Sequence, residues 1–381
     1  MKIVYCIQGM YKTGGIERVV SMKANYLVQH GYDVTIITTD QEDRPYFFPI
    51  DERVKRIDLG LDYGKLDYLP SYKRLWHTRL KRKEHKALLE QTLKREQADI
   101  CVSVGFQDKD ILPSLQDGSR KILEDHTSRS AFILMYPPQQ KFKRLLGHLR
   151  IKLRERLAAK YDCFVILTET EKTEWQGIPR IEVIPNANPL TSNKQTDVVS
   201  SRKIMAAGRM EYVKNFIELI DIWSKVAPSH PDWHLSIYGD GWLFPFIQQR
   251  ITKYGLEAQT ILEGSSNDMA SVYAESSICV VTSHFEGLSM ILVEAQTMGL
   301  PVISYACPSG PKDIIQDGVN GFLVAPYNQE AFAERLDKLI NDADLRVRMG
   351  EEGRRLSQRY TPEVIMAKWE KLFAQLTSSK K

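Results

Sequence analysis

Cysteine is scarce and scattered. The five residues Cys6, Cys101, Cys163, Cys279 and Cys307 form no C-x-x-C pair, and the first four sit in apolar, strand-like runs. An odd, dispersed set argues against a disulfide framework and against a thiolate metal site. It suits buried, reduced thiols in a cytosolic compartment. Long apolar runs are also missing, and nothing approaches the roughly 18 residues of a membrane span. The opening MKIVYCIQGM turns polar too soon for a signal peptide. Any work at a membrane is therefore expected at its surface. Charge of one sign is lacking as well. The net charge is +4 over 381 residues, which makes no global electrostatic case for nucleic acid. What is present, 43% hydrophobic and 26% charged residues, is enough for two folded domains.

Short apolar runs alternate with helical periods. KIVYCI, DVTIIT (33–38), ADICVSVG (98–105), KILEDH (121–126), DCFVIL (162–167) and IEVIPN (181–186) read as strands. After Gly14-Gly15, apolar positions at 16, 19, 20 and 22 predict a helix. The polar stretch 188–202 breaks the rhythm and reads as a linker. The rhythm then restarts with KIMAAGR, a helix over 216–226, WHLSIYGDG, a helix around 243–254, TILEG, SSICVVTS, PVISY and a final pair of helices. The fold class is therefore α/β, with two Rossmann-like, doubly wound domains. Residues 1–187 form one, 203–360 the other. A last helix from Thr361 carries Val364, Ile365, Trp369, Leu372 and Phe373 on an apolar face.

Several turns carry chemistry. In Thr13-Gly14-Gly15-Ile16-Glu17-Arg18 a strand ends, two glycines turn the chain and a helix begins. Bare N–H groups there attract an anion; the alternative is a plain βα turn. In Gly208-Arg209-Met210-Glu211-Tyr212-Val213-Lys214-Asn215, two cations flank another such turn. Both can converge on one diphosphate, or form only a solvated basic turn. His126 ends a predicted strand, where open α/β sheets hold ligands, or it is a satisfied structural histidine. In SHFEGLSMILVEAQTMGLPVIS (283–304), Glu286 lies in a loop and Glu294 one turn inside a helix that Ser289 caps and Gly299 stops. A carboxylate among Leu292, Val293 and Ala295 needs a partner. Two such acceptors suit a ligand with hydroxyls at both ends. The alternative places Glu294 on a solvated face beside Gln296.

Two basic stretches remain. Residues 73–86 hold seven Lys/Arg around Leu75, Trp76 and Leu80. Residues 141–160 hold eight, with Phe142, Leu145, Leu146, Leu149, Ile151, Leu153 and Leu157. Cations interleaved with large apolar residues suit an amphipathic helix on an anionic membrane, or a solvated face on a core-packed helix.

Taken together these motifs resemble the family 4 retaining glycosyltransferases of the GT-B fold. They are E-x7-E at Glu286 and Glu294 followed by G-x-P-V-I at Gly299 to Ile303, G-R-x4-K-N at Gly208 to Asn215, and G-G-x-E-R at Gly14 to Arg18. The run CPSGPKDIIQDGVNGFLV (307–324) is similar to another segment of that family, with Asp313 where Glu is commoner. The resemblance implies two domains facing across a cleft, with residues 361–381 crossing back to the first. It implies transfer of a sugar from a nucleotide sugar, UDP-linked as a family prior, to a glycan hydroxyl with retention. A lipid-linked acceptor on a polyprenyl diphosphate, in capsule, exopolysaccharide or O-antigen assembly, follows from the basic segments. So does a peripheral place on the inner face of the cytoplasmic membrane. Arg209 and Lys214 would bind the donor diphosphate. Glu286 would contact the donor sugar with the backbone of Gly287, Leu288 and Ser289. Glu294 would accept from ribose hydroxyls, Gly14, Gly15 and Gly208 would allow close approach, and His126 would assist the sugar. No D-x-D arrangement lies in a suitable loop, so no metal and no other cofactor is expected. Other GT-B chemistry (a nucleotide-sugar epimerase or a phosphorylase) and a non-catalytic membrane scaffold are the alternatives. Trp242, Phe244 and Pro245 after Gly239-Asp240-Gly241 depart from the family pattern.

Overall fold

The computed structural model describes residues 1–190, 194 and 196–378. Among the described residues the strands form two parallel sheets. The first has seven strands: β1 (Lys2–Ile7), β2 (Asp33–Thr38), β3 (Lys55–Asp58), β4 (Ile100–Ser103), β5 (Arg120–Glu124), β6 (Cys163–Ile166) and β7 (Ile181–Val183). Their spatial order is β3-β2-β1-β4-β5-β6-β7. The second has six: β8 (Lys203–Ala207), β9 (His234–Tyr238), β10 (Thr260–Gly264), β11 (Ile278–Val281), β12 (Val302–Tyr305) and β13 (Gly321–Val324), in the order β10-β9-β8-β11-β12-β13. Strand order reverses between β1 and β4 and again between β8 and β11. Open α/β sheets bind ligands beyond the carboxyl ends of their strands at these switch points.

The central strands are buried on both faces, and so read as near-continuous apolar runs. Val20, Ala24, Leu27 and Val28 of the helix Gly15–Gln29 cover one face of the first sheet. Leu89 and Leu93 of the helix Ser71–Glu96 pack on the other. Strand β3 was not expected from the sequence. KRID is a polar edge strand, solvated along most of its length, so it lacks the apolar signature of its neighbours.

The helix Pro362–Ser378 leaves the second sheet and packs on the first. Ile365, Trp369, Leu372, Phe373 and Leu376 join the core around Ile3, Tyr5 and Val34. These positions recur as one stripe of a 3.6-residue period. Val364, expected on that face, lies off the stripe and is exposed. Residues 379–381 of the expected crossing segment, and residues 191–193 and 195 of the expected linker, lie outside the described residues. The rest of 188–202 is tied to the second half: Thr196 Oγ1 donates to the Met298 carbonyl, and buried Arg346 donates to the carbonyls of Val198 and Val199.

The helix Lys141–Ala158 buries Gly147, Ile151, Arg154 and Ala158. Ile151 therefore points inward and does not join the expected surface face. Phe142, Leu145, Leu146, Leu149 and Leu153 remain exposed. No helix among the described residues is long and apolar enough to cross a membrane.

Candidate active site

Two turns of the second sheet lock together at the β8/β11 switch point. Gly208 leaves β8 with φ +150°, and a Cβ there would meet the Lys214 side chain at 2.8 Å. Glycine thus lets Lys214 fold back over its own turn. Beyond β11, the His284 amide donates to the Val213 carbonyl, and Thr282 Oγ1 donates to the Lys214 carbonyl. Lys214 Nζ then lies 2.8 Å from Glu286 Oε1, which also accepts from Ser283 Oγ at 2.6 Å. Ser309 Oγ holds the Glu286 carbonyl at 2.6 Å. The outcome is one mobile point charge and one oriented carboxylate, half-buried and facing the cleft.

Arg209 is not part of this cluster. Its side chain is 79% exposed and pairs with Glu211 at 3.2 Å. A long side chain in solvent costs little to move, but the two cations do not converge in this structure.

The helix Met290–Thr297 follows. Ser289 holds the position before it but makes no capping hydrogen bond. Its left-handed backbone (φ 31°) turns the hydroxyl away from the helix N–H groups. That buried Oγ has no partner among the described residues, so it and the first helical amides remain open to an incoming oxygen. Gly287 lies where the two sheets meet. A Cβ on it would come within 2.5 Å of the His126 carbonyl, so only glycine permits this approach.

Glu294 is 6% exposed, which rules out the solvated reading of that position. Gln296 is buried as well, and donates to the Asn320 carbonyl. Tyr273 Oη donates to Glu294 Oε2 at 2.8 Å, and Arg18 Nη1 to Oε1 at 3.2 Å. Burial raises the Glu294 carboxyl above its ordinary pKa, and Arg18 opposes that rise. Arg18 comes from the helix Gly15–Gln29 of the first half, so this ion pair spans the cleft. Sequence reasoning placed Arg18 in the G-G-x-E-R motif but gave it no partner.

His126 lies beyond β5 with its side chain largely buried, Nε2 3.3 Å from Glu124 Oε1. Glu124 is fully buried and paired with Lys23, whose ammonium also sits 4.0 Å from the centre of the Trp369 ring. Burial works against ionisation of Glu124, but Lys23 and His126 outweigh it and hold the carboxyl well below its usual range. Gly14 and Gly15 open the neighbouring helix without a side-chain cap. A second feature escaped the sequence reading: Tyr212, His284 and Tyr327 pack as tilted rings beside the Lys214 turn, with Tyr212 and His284 ring centres 4.3 Å apart. Burial lowers the His284 pKa to about 4, so it is a neutral ring at physiological pH.

Two cavities open on the first-sheet side of the cleft. One, of 620 Å³, lies between the end of β1 and the helix Ser71–Glu96. The other, of 510 Å³, runs from His126 beneath the helix Lys141–Ala158. Among the described residues, no group of three His, Cys, Asp or Glu side chains is placed to hold a metal ion.

Two Rossmann-like sheets facing across a cleft, with these turns at the switch points, define the GT-B fold. Residues 190–356 match the model for glycosyl transferases group 1, and residues 13–190 match that for glycosyltransferase family 4. The chain belongs to this family-4 type of glycosyltransferase. It is 29% identical to an uncharacterized glycosyltransferase of Haemophilus influenzae, over 97% of this chain and 98% of that one. It is also 29% identical to the amylovoran biosynthesis glycosyltransferase AmsD of Erwinia amylovora, again over 97% and 98%. Among solved structures, a Staphylococcus aureus TarM mutant in complex with fondaparinux, alpha-GlcNAc-glycerol and UDP superposes with a TM-score of 0.77. That match covers 98% of this chain and 99% of the other at 16% identity, and so bears on the fold.

Proposed function

We propose that this chain transfers a glycosyl group, with retention, from a UDP-linked sugar to a hydroxyl of a lipid-linked glycan during assembly of a cell-surface polysaccharide. The Lys214–Glu286–Ser283 cluster at the mouth of the helix Met290–Thr297, opposite His126, carries the reading. The AmsD likeness supports the pathway, and the UDP in the TarM complex supports the nucleotide.

In this mechanism the acceptor oxygen bonds to the anomeric carbon while the bond from that carbon to the diphosphate oxygen breaks. The acceptor proton passes to the leaving phosphate oxygen on the same face. Charge builds on the diphosphate, so stabilising it is the main task. Lys214 and the open amides beyond Ser289 face it directly, without a metal. Arg209 reaches the same phosphates by releasing Glu211. Glu286 orients the sugar hydroxyls. Glu294 accepts from the ribose, in competition with Arg18. Closure of the two halves excludes water and suppresses hydrolysis.

The exposed apolar residues and cations of the helix Lys141–Ala158 support peripheral attachment to an anionic membrane. Failure of anionic liposomes to retain the protein at low salt would remove that part of the proposal.

The test is thermal stabilisation by UDP-, GDP- and ADP-sugars, with and without chelator, on the native chain and on Lys214→Ala. A shift with UDP-sugars alone, indifferent to chelator and lost in the variant, is expected. No shift with any nucleotide sugar would overturn the reading.

A further inference from the structure

The second cavity has three properties that belong together. Its lining is mostly apolar, with Val104, Phe106, Phe132, Met135, Leu153 and Leu157 on its walls. Lys109 and Arg150 also line it, and both have neutral partners: Lys109 donates to the Gly105 carbonyl at 2.9 Å, and Arg150 to the Tyr136 hydroxyl at 2.6 Å. Burial lowers the Lys109 pKa and neighbouring Arg154 lowers it further, although Asp108, Asp110 and Asp125 lie near. Two of those carboxylates are otherwise engaged: Asp125 is held by Arg154 and Asp110 by Arg82. Finally, His126 lines the same 510 Å³ space.

The cavity also continues onto the surface. Phe142, Leu146, Leu149, Leu153 and Leu157 fall at spacings of four, three, four and four, the repeat of one helix stripe. The first four are exposed, while Leu153 and Leu157 form the cavity wall. From 142 to 153 the stripe runs about 16 Å along the helix, at a rise near 1.5 Å per residue. An apolar track that starts in solvent and ends beside His126 fits a chain-like hydrocarbon better than a sugar.

We infer that this cavity and track hold the isoprenoid chain of a polyprenyl diphosphate-linked acceptor, with the diphosphate at Lys109 and Arg150. This rests on the transferase reading and adds the acceptor's place to it. It also sets the order of reaction. Hydrocarbon and His126 share one cavity, which leaves room for only the diphosphate and one sugar between the lipid and the reacting hydroxyl. The enzyme therefore extends the sugar joined directly to the lipid diphosphate. The reaction that supplies this acceptor must move a sugar phosphate from a nucleoside diphosphate sugar onto a polyprenyl phosphate. That step forms one phosphoanhydride bond, breaks another and releases a nucleoside monophosphate.

The test is calorimetric titration of the full chain, free of detergent and vesicles, with farnesyl diphosphate, farnesol and inorganic diphosphate. Each is repeated on Lys214→Ala, so that binding at the donor phosphates is recognised. Farnesyl diphosphate is expected to bind at least tenfold tighter than either fragment, and equally in Lys214→Ala. Leu153→Glu should weaken it at least tenfold and leave UDP binding unchanged. Arg150→Met, at an exposed position, should bring farnesyl diphosphate towards farnesol, and keeps the test open if Leu153→Glu does not fold. Farnesyl diphosphate binding no tighter than inorganic diphosphate would overturn the inference, as would indifference to both variants. Vesicle binding in the absence of farnesyl diphosphate binding would also overturn it, and would mark the stripe as a membrane contact only. If UDP-sugars still stabilise the protein in that case, the transferase reading survives and the acceptor assignment alone falls.

Discussion

Replacing Arg18 by methionine tests the ion pair that spans the cleft. Arg18 Nη1 lies 3.2 Å from a buried Glu294 oxygen. Two unit charges about 4 Å apart at an effective dielectric near 20 attract by roughly 4 kcal/mol. The Arg18 side chain is 36% exposed, so solvent screening and the entropy of holding it reduce the net contribution to about 1–2 kcal/mol. The loss should depend on pH. Burial already raises the Glu294 carboxyl above 4.5, and loss of Arg18 raises it further. A carboxyl with a folded pKa above its unfolded value binds more protons when folded, so stability falls as pH rises through the folded value. Between about pH 5 and pH 8 the deficit should therefore grow with rising pH, because an unpaired Glu294 must either ionise without Arg18 or hold its proton at a rising cost. Thermal melts of both proteins across that range provide the readout. The same pair of melts in a Glu294→Gln background should show almost no further loss on Arg18→Met. A deficit that is constant with pH, or that persists undiminished in the Glu294→Gln background, would refute the reasoning. It would mean that the Arg18 stem packs rather than that its charge neutralises Glu294.

Three further outcomes are expected. Glu286→Gln should abolish transfer while leaving nucleotide binding within a few-fold of native, whereas Glu294→Gln should weaken nucleotide binding; native behaviour in both, measured by titration and product assay, would sink the assignments. Glu171 is held neutral by burial up to about pH 8, so native stability should fall between its unfolded pKa near 4.5 and about 8; Glu171→Gln should flatten that slope in melts taken across the interval. Gly287→Ala should push the β11 loop off the His126 carbonyl, costing about 1–3 kcal/mol in chemical denaturation, with a larger loss for Gly287→Val.

Much of the fold was legible because parallel strands covered on both faces must be apolar, and KIVYCI, DVTIIT and SSICVVTS are. Strand β3 was not, because an edge strand can be polar. The carboxylates of the site were legible by their company: Glu294 among Leu292, Val293 and Ala295 signalled a partnered charge. The partner itself was hidden, because Arg18 is 276 residues away and only folding brings it near. The misplacement of Ile151 has the same origin. Apolar residues on a helix announce two faces, but composition alone does not tell which one a neighbour covers. The aromatic group beside Lys214 was invisible for the same reason, since Tyr212, His284 and Tyr327 come from three separate segments.

The return of the helix Pro362–Ser378 has a consequence for how the chain is made. The first sheet is translated first, yet Trp369 and Phe373 in its core leave the ribosome only after every strand of the second sheet. Lys23 and Glu124 must wait, paired beside an unfilled groove, while the whole second half folds. Domains ordinarily fold in the order of synthesis; here the one that starts earlier is completed later. The second half, finished on its own core around Ile220, Trp223 and Leu235, becomes the tether that delivers the closing helix.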